Sequence, residues 1–152
     1  MKTKEYARNR KATFNAEIEK KLEVGIVLDG SEVKAVRNGR ISLKDAYVKI
    51  KNGEMFLMQA HISKPDHLTG FVTFEEKRPR KLLAHKNEIL KLKSLVDEKK
   101  YIILPLKVYQ PENSGKIKVQ IGIGKPKKTY DKKQTIKERD LKRESDRILK
   151  NY

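Results

Sequence analysis

Residues 21–62, KLEVGIVLDGSEVKAVRNGRISLKDAYVKIKNGEMFLMQAHI, decide the reading of this chain. Leu22, Val24, Ile26 and Leu28 alternate with Lys21, Glu23 and Gly25, the period of a half-buried strand. Asp29-Gly30 turns the chain, and Ser31 is the expected N-cap of a short helix with Glu32 in its first turn, where the dipole favours an acid. Val33 and Val36 share one side of that helix, and Asn38-Gly39 closes it. A second strand follows, with Ala46, Val48 and Ile50 on one face. Asn52-Gly53 then predicts a type I′ hairpin, whose two-residue loop sets Lys51 opposite Glu54, Ile50 opposite Met55 and Val48 opposite Leu57. The apolar faces coincide in that register, as a stable hairpin requires. The other face carries Tyr47, Lys49, Phe56 and Met58. It suits either stacking on nucleic acid or, the expected use, cover by a helix.

Beyond this stretch, Pro79 disfavours helix before it, and a helix is expected from Lys81 or His85 to Lys99, with Leu82, Ile89, Leu92 and Val96 as its buried stripe. Ile102, Leu104, Leu106 and Val108 alternate in a further strand in which Pro105 predicts an edge or a bulge. The PENSG loop (111–115) leads into KIKVQIGI, where Ile117, Val119, Ile121 and Ile123 face inward and Lys116, Lys118 and Gln120 outward. Phe71, Val72 and Phe74 suggest a short strand in the Pro- and Gly-containing segment 61–80. About five or six antiparallel strands with interleaved helices suit a small closed barrel of the oligonucleotide-binding type, mainly β within an α+β chain.

The 152 residues are enough for one domain with a modest core, here 1–124, followed by a tail, 125–152. With 37 basic and 20 acidic side chains the net charge is +17 and the pI near 9.9, a field that recruits polyanions. No apolar run approaches the ~18 residues of a membrane span, and the N-terminus has no apolar signal core, so a cytoplasmic protein is expected. The absence of cysteine removes disulfides, thiolate catalysis and zinc fingers from consideration. Residues 1–12 hold Lys2, Lys4, Arg8, Arg10 and Lys11 against Glu5 alone, which fits a phosphate-binding arm or a solvated terminus equally well.

Catalytic patterns are weak. His61, His67 and His85 lack metal-ligand spacing, and Gly122-Ile123-Gly124 lacks the third glycine and following helix of a dinucleotide site. Glu23, Glu32 and Asp45 could gather around Mg²⁺, but solvated or capping roles account for each more simply. No catalytic residue, metal or cofactor is expected. The tail carries 11 basic and 5 acidic side chains with few aliphatics, a composition that stays disordered alone. Glu138 to Lys142 and Asp146 to Lys150 are favourable i,i+4 pairs, so a helix that forms on a partner is latent there.

Five segments together resemble the small protein B family, the SsrA-binding proteins that accompany tmRNA in bacterial ribosome rescue. They are LEVGIVLDGSEVKAVRNGRISLKDAYVKIKNGE (22–54), RPRKLLAHKNEI (78–89), KVQIG (118–122), KKTYDKK (127–133) and IKERD (136–140), agreeing in order and spacing from about Asn9 to Asn151. The resemblance implies an oligonucleotide-binding-type barrel without enzyme activity. It further implies binding to the tRNA-like domain of tmRNA, help for alanyl-tmRNA carried by elongation factor Tu with GTP into the vacant A site of a stalled ribosome, and a tail that turns helical in the empty mRNA channel. Neither a membrane nor an obligate protein oligomer is implied. Carried over by position, Glu23, Leu83 and Lys118 match residues implicated in tmRNA binding, and Asn9, Arg10 and Lys11 match the basic approach to the barrel. Arg80, Lys81, Lys125, Lys127 and Lys128 are placed with the tmRNA contacts as cations beside them. In the tail, Tyr130, Asp131, Lys132 and Lys133 match the segment that reaches the decoding centre, Ile136, Lys137 and Arg139 belong to the ribosome-binding run, and Ile148 and Leu149 match the terminal apolar pair. Pro126 departs from the glycine usual in the GKK segment and stiffens the start of the tail. Gln134 and Thr135 interrupt a run that is usually more charged.

Overall fold

The computed structural model describes residues 3–64 and 75–127. Its elements in order are β1 (Lys4–Arg8), α1 (Ala12–Asn15), β2 (Ala16–Ile26), α2 (Gly30–Arg37), β3 (Ile41–Ser42), β4 (Tyr47–Lys51), β5 (Glu54–Met58), β6 (His61–Ile62), β7 (Arg80–Leu83), α3 (Lys86–Lys99), β8 (Ile102–Gln110) and β9 (Lys118–Pro126). Seven strands form one antiparallel sheet in the order β1-β8-β9-β2-β7-β5-β4, and β3 pairs with β6 in a small second sheet. The chain is therefore mainly β with a large antiparallel sheet and few short helices. β4, at one edge, lies against β8 near the other, so the sheet curls over its own core without ladder hydrogen bonds joining the two strands.

The hairpin register is the expected one: Lys51 pairs Glu54, Ile50 pairs Met55 and Val48 pairs Leu57. Asn52 and Gly53 have φ of 53° and 77°, as a type I′ turn demands. Val24, Val119 and Val108 form an inward cross-strand row on β2, β9 and β8, joined in the core by Met55, Leu57 and Leu82 and by Ile89 and Leu92 of α3. Pro105 sits at both predicted features. The β8–β9 register shifts between Pro105 and Lys107, and β1 pairing stops at Lys107, leaving Pro105 on a local edge.

Several expectations are corrected. The N-cap of α2 is Asp29, not Ser31: the Asp29 N–H donates to Glu32 Oε1 at 2.9 Å and the Asp29 carboxylate accepts from the Glu32 N–H. A capping box needs its acid three residues after the cap, a spacing that Asp29 has and Ser31 lacks. Leu82 belongs to β7 rather than to the following helix, because Arg80 to Leu83 alternate buried and exposed and are paired on both sides, by β2 and β5. Helix α3 starts only at Lys86, with His85 in the N-cap position and no side-chain capping bond. Residues 4–8, read as an arm or a solvated terminus, form an edge strand on β8. The face bearing Tyr47 and Lys49 is not sealed as expected: Tyr47 is 41 % exposed, Lys49 is exposed, and Phe56 and Met58 are half-buried. The suggested strand at Phe71, Val72 and Phe74 lies outside the described residues.

Gly122 and Gly124 have a packing function. A Cβ at Gly124 would stand 1.9 Å from the Glu17 carbonyl oxygen, and one at Gly122 would meet Leu106 Cδ1 at 2.9 Å. Only glycine lets β2 cross β9 this closely at the bulge between Ile18 and Lys20. Gly124→Ala is expected to cost about 3 kcal/mol in urea unfolding, since backbone rather than a movable side chain blocks the methyl. Gly30→Ala, with nothing within 4 Å of its Cβ, is the neutral control.

Candidate nucleic-acid interface

The alternation of β2, β7 and β9 places three of the predicted contacts side by side. Gly25 of β2 pairs Leu83 of β7 on one flank and Lys118 of β9 on the other, while Glu23 projects from the same outward face two residues earlier. These residues, with Glu88 of α3 and its N-cap His85, line an open cleft of about 410 Å³. Leu83, at the end of β7 and paired there by β2 alone, is 51 % exposed, unusual for a leucine. Gly25 makes room for it, as a Cβ there would stand 3.2 Å from Leu83 Cβ. The cleft thus offers an acceptor, a cation and an apolar ledge together.

Tyr109, which sequence reading did not single out, completes the arrangement. It pairs Lys118 across β8–β9, and its hydroxyl donates to Glu23 Oε2 at 2.6 Å. Lys107 Nζ lies 4.9 Å from the ring centroid, and Tyr109 is only 7 % exposed. Burial, reinforced by the Glu23 carboxylate, raises the phenol well above its ordinary range. No local signal could have disclosed it, because the bulge at Pro105–Lys107 sets which β8 residue reaches Glu23.

Arg80 is corrected. Expected on phosphate, it is fully buried: Nε donates to Glu32 Oε2 at 2.7 Å, Nη1 to the carbonyls of Ala60 (2.9 Å) and Arg78 (3.2 Å), and Nη2 to those of Glu75 (3.3 Å) and Glu76 (3.1 Å). A guanidinium so occupied has no face for RNA; it anchors the approach to β7. Arg78 joins the same carboxylate, donating from Nε to Glu32 Oε2 at 3.1 Å and from Nη2 to Oε1. Burial would push the Glu32 carboxyl up, but the hydrogen bonds from Arg78, the Asp29 N–H and Arg80 outweigh it and hold its pKa below the ordinary value. Lys81, by contrast, is exposed and shares Glu54 Oε1 at 3.2 Å, a surface pair that phosphate can displace.

Asn9, Arg10 and Lys11 line a different cleft, of about 310 Å³, together with Arg8, Lys44 and Asp45. Asn9 is spent largely on the turn after β1: Nδ2 donates to the Pro105 carbonyl at 2.9 Å, and Oδ1 accepts from the Lys11 N–H at 3.3 Å. Arg10 and Lys11 are exposed. Lys125 is exposed at the end of β9, and the Lys127 N–H bonds the Asn15 carbonyl at 3.0 Å. Lys128, Tyr130, Asp131, Lys132, Lys133, Ile136, Lys137, Arg139, Ile148 and Leu149 lie outside the described residues. Glu23, Glu32 and Asp45 do not assemble. Glu32 is buried on two arginines and Asp45 lines the other cleft, and no metal-holding group of acids and histidines occurs among the described residues.

Known proteins resemble this chain over nearly its whole length. The chain is 46 % identical to an SsrA-binding protein of Shouchella clausii, covering 95 % of this chain and 90 % of the relative. It is 46 % identical to that of Acetivibrio thermocellus and 45 % to that of Treponema denticola, covering 95 % of this chain and 92 % of the relative in each case. Among solved structures, a chain described under "tmRNA-SmpB: a journey to the center of the bacterial ribosome" superposes with a TM-score of 0.66 at 33 % identity, over 85 % of this chain and 92 % of that one. A family model for the SmpB protein matches residues 6–151. The curled sheet and its cleft are thus those of a chain that belongs to the SmpB family.

Proposed function

We propose that this chain binds the tRNA-like domain of tmRNA and serves trans-translation, the rescue of stalled ribosomes. One observation carries the reading: Glu23, Leu83 and Lys118, far apart in sequence, converge around Gly25 in a single cleft. Lys118 pairs with phosphate, Leu83 packs on a sugar or base, and Glu23, turned by Tyr109, accepts from a base amine or a ribose 2′-hydroxyl. The curled sheet acts as an oligonucleotide-binding-type barrel spanning 1–124. Residues 125–152 are its ribosome-reading tail, with Tyr130 to Lys133 at the decoding centre and Ile148-Leu149 deep in the mRNA channel. Arg10, Lys11, Lys81, Lys125, Lys127 and Lys128 supply phosphate contacts. The bound alanyl-tmRNA enters the A site with elongation factor Tu and GTP, which places the protein in the cytoplasm. Catalysis has no part in this function.

Anisotropy binding of the tRNA-like domain, competed by linear RNA across a salt series, tests the reading. Lys118→Ala should weaken binding by roughly 1–2 kcal/mol and lower the salt slope by about one counterion. A slope unchanged by the substitution removes Lys118 from phosphate. Tyr109→Phe should lose about 1 kcal/mol of affinity with little change in Tm, because the aromatic packing persists while the Glu23 carboxylate swings free. Equal competition by tRNA-like and linear RNA would leave only a generic RNA-binding protein.

A further inference from the structure

We propose that the groove between α2 and the ends of β2 and β9 receives one unstacked base of the bound RNA. The inference rests on the RNA-binding reading above and assigns it a new subsite. The groove, about 340 Å³, adjoins the Glu23 cleft and shares Gly25, Leu83 and Lys118 with it. Its walls are aliphatic, from Ile26, Leu28, Val33 and Ile117 besides Leu83, and its polar side chains are the cations Arg37, Lys116 and Lys118, with no carboxylate among the lining residues. Arg37 Nη2 donates to the Gly115 carbonyl at 3.3 Å, which holds the guanidinium at the rim.

An apolar slot ringed by cations matches a nucleotide, whose base is flat and weakly polar on its faces while its phosphate is anionic. Among the described residues no Phe, Tyr or Trp lines either cleft, and the ring that the Glu23 cleft offers is the exposed imidazole of His85. Tyr109, the aromatic residue beside the cleft, is buried and has Lys107 over its ring. Tyr47, the exposed large aromatic among the described residues, stands on the edge strand β4 and lines neither cleft. A base leaving its stack at Leu83 meets the aliphatic groove directly, because Leu83 lines both spaces and Gly25 keeps them joined. A side chain there would crowd Leu83. The phosphates on either side of that base then fall to Lys118 and to Lys116 or Arg37.

The test uses the full chain and a tRNA-like RNA carrying 2-aminopurine at each unpaired loop purine in turn. One labelled position should brighten on binding, as unstacking relieves its quenching, and should stay dark in the complex with Arg37→Glu. Arg37→Glu should weaken binding by about tenfold, against about threefold or less for Lys34→Glu, an exposed cation on the same helix that does not line the groove. If every position stays dark in a complex of undiminished affinity, or the two charge reversals weaken binding equally, the groove proposal is overturned while RNA binding stands. If wild-type protein shows no preference for the tRNA-like RNA, both readings fail together.

Discussion

Glu32→Ala is expected to destabilise the protein by roughly 3–5 kcal/mol, lowering Tm by roughly 10 °C or more, the largest loss of any single side-chain truncation considered. The substitution strips the carboxylate from two guanidiniums, one of them fully buried. Arg80 keeps its carbonyl partners, but its charge is left uncompensated in a low-dielectric site, which costs more than the attraction itself was worth. Urea unfolding measures this, and a loss under about 1 kcal/mol would show that water reaches Arg80. The pH dependence has a defined sign. Because the folded state holds the Glu32 pKa below its ordinary value, the carboxylate's contribution is complete above the ordinary glutamate range and drains away as pH falls through it toward the folded value. Glu32→Gln should therefore flatten the acid limb of the stability curve. The effect should also reach function, since Arg80 opens the strand that carries Lys81 and Leu83, both proposed RNA contacts.

Removal of residues 131–152 is expected to abolish tagging on stalled ribosomes while leaving tmRNA binding largely intact. The deletion takes away eight basic and five acidic side chains, so the chain keeps +14 of its +17 charge and its whole described surface. Long-range attraction to RNA and the Glu23–Leu83–Lys118 cleft are thus preserved. What is lost is the segment whose i,i+4 pairs and Ile148-Leu149 pair are proposed to order only inside the mRNA channel. Paired measurements, anisotropy with the tRNA-like domain and tagging in a reconstituted translation system, check the separation. Parallel loss of both activities contradicts the two-part division.

Periodicity and turn chemistry are local, and they were legible. The alternation through Leu22 to Leu28, the Asn52-Gly53 hairpin with its register, and the disturbance at Pro105 each follow from dihedral preferences and side-chain facing within a few residues. The alternation and the Asn52-Gly53 turn lie within segment 22–54, one of the five that carry the resemblance to the SmpB family. Where local signals competed, the tertiary structure chose. Ser31 and Asp29 are both good capping residues, and the position of Glu32 selected Asp29. Leu82 fits a helical stripe as well as a strand, and pairing with β2 and β5 made it a strand residue.

The sequence by itself determined that this is a basic, cysteine-free β protein with a hairpin at 52–53 and a charged tail. Only the tertiary structure decided what each cation does. Arg80 and Lys81 are neighbours of nearly equal charge, yet the pleat turns one into the core against Glu32 and the other to solvent. Glu23, Leu83, Tyr109 and Lys118 come together through non-local strand registers and a bulge, which no window of sequence encodes. Backbone conformation is set by neighbours in the chain, whereas burial and convergence are set by neighbours in space, and an RNA site is made of the latter.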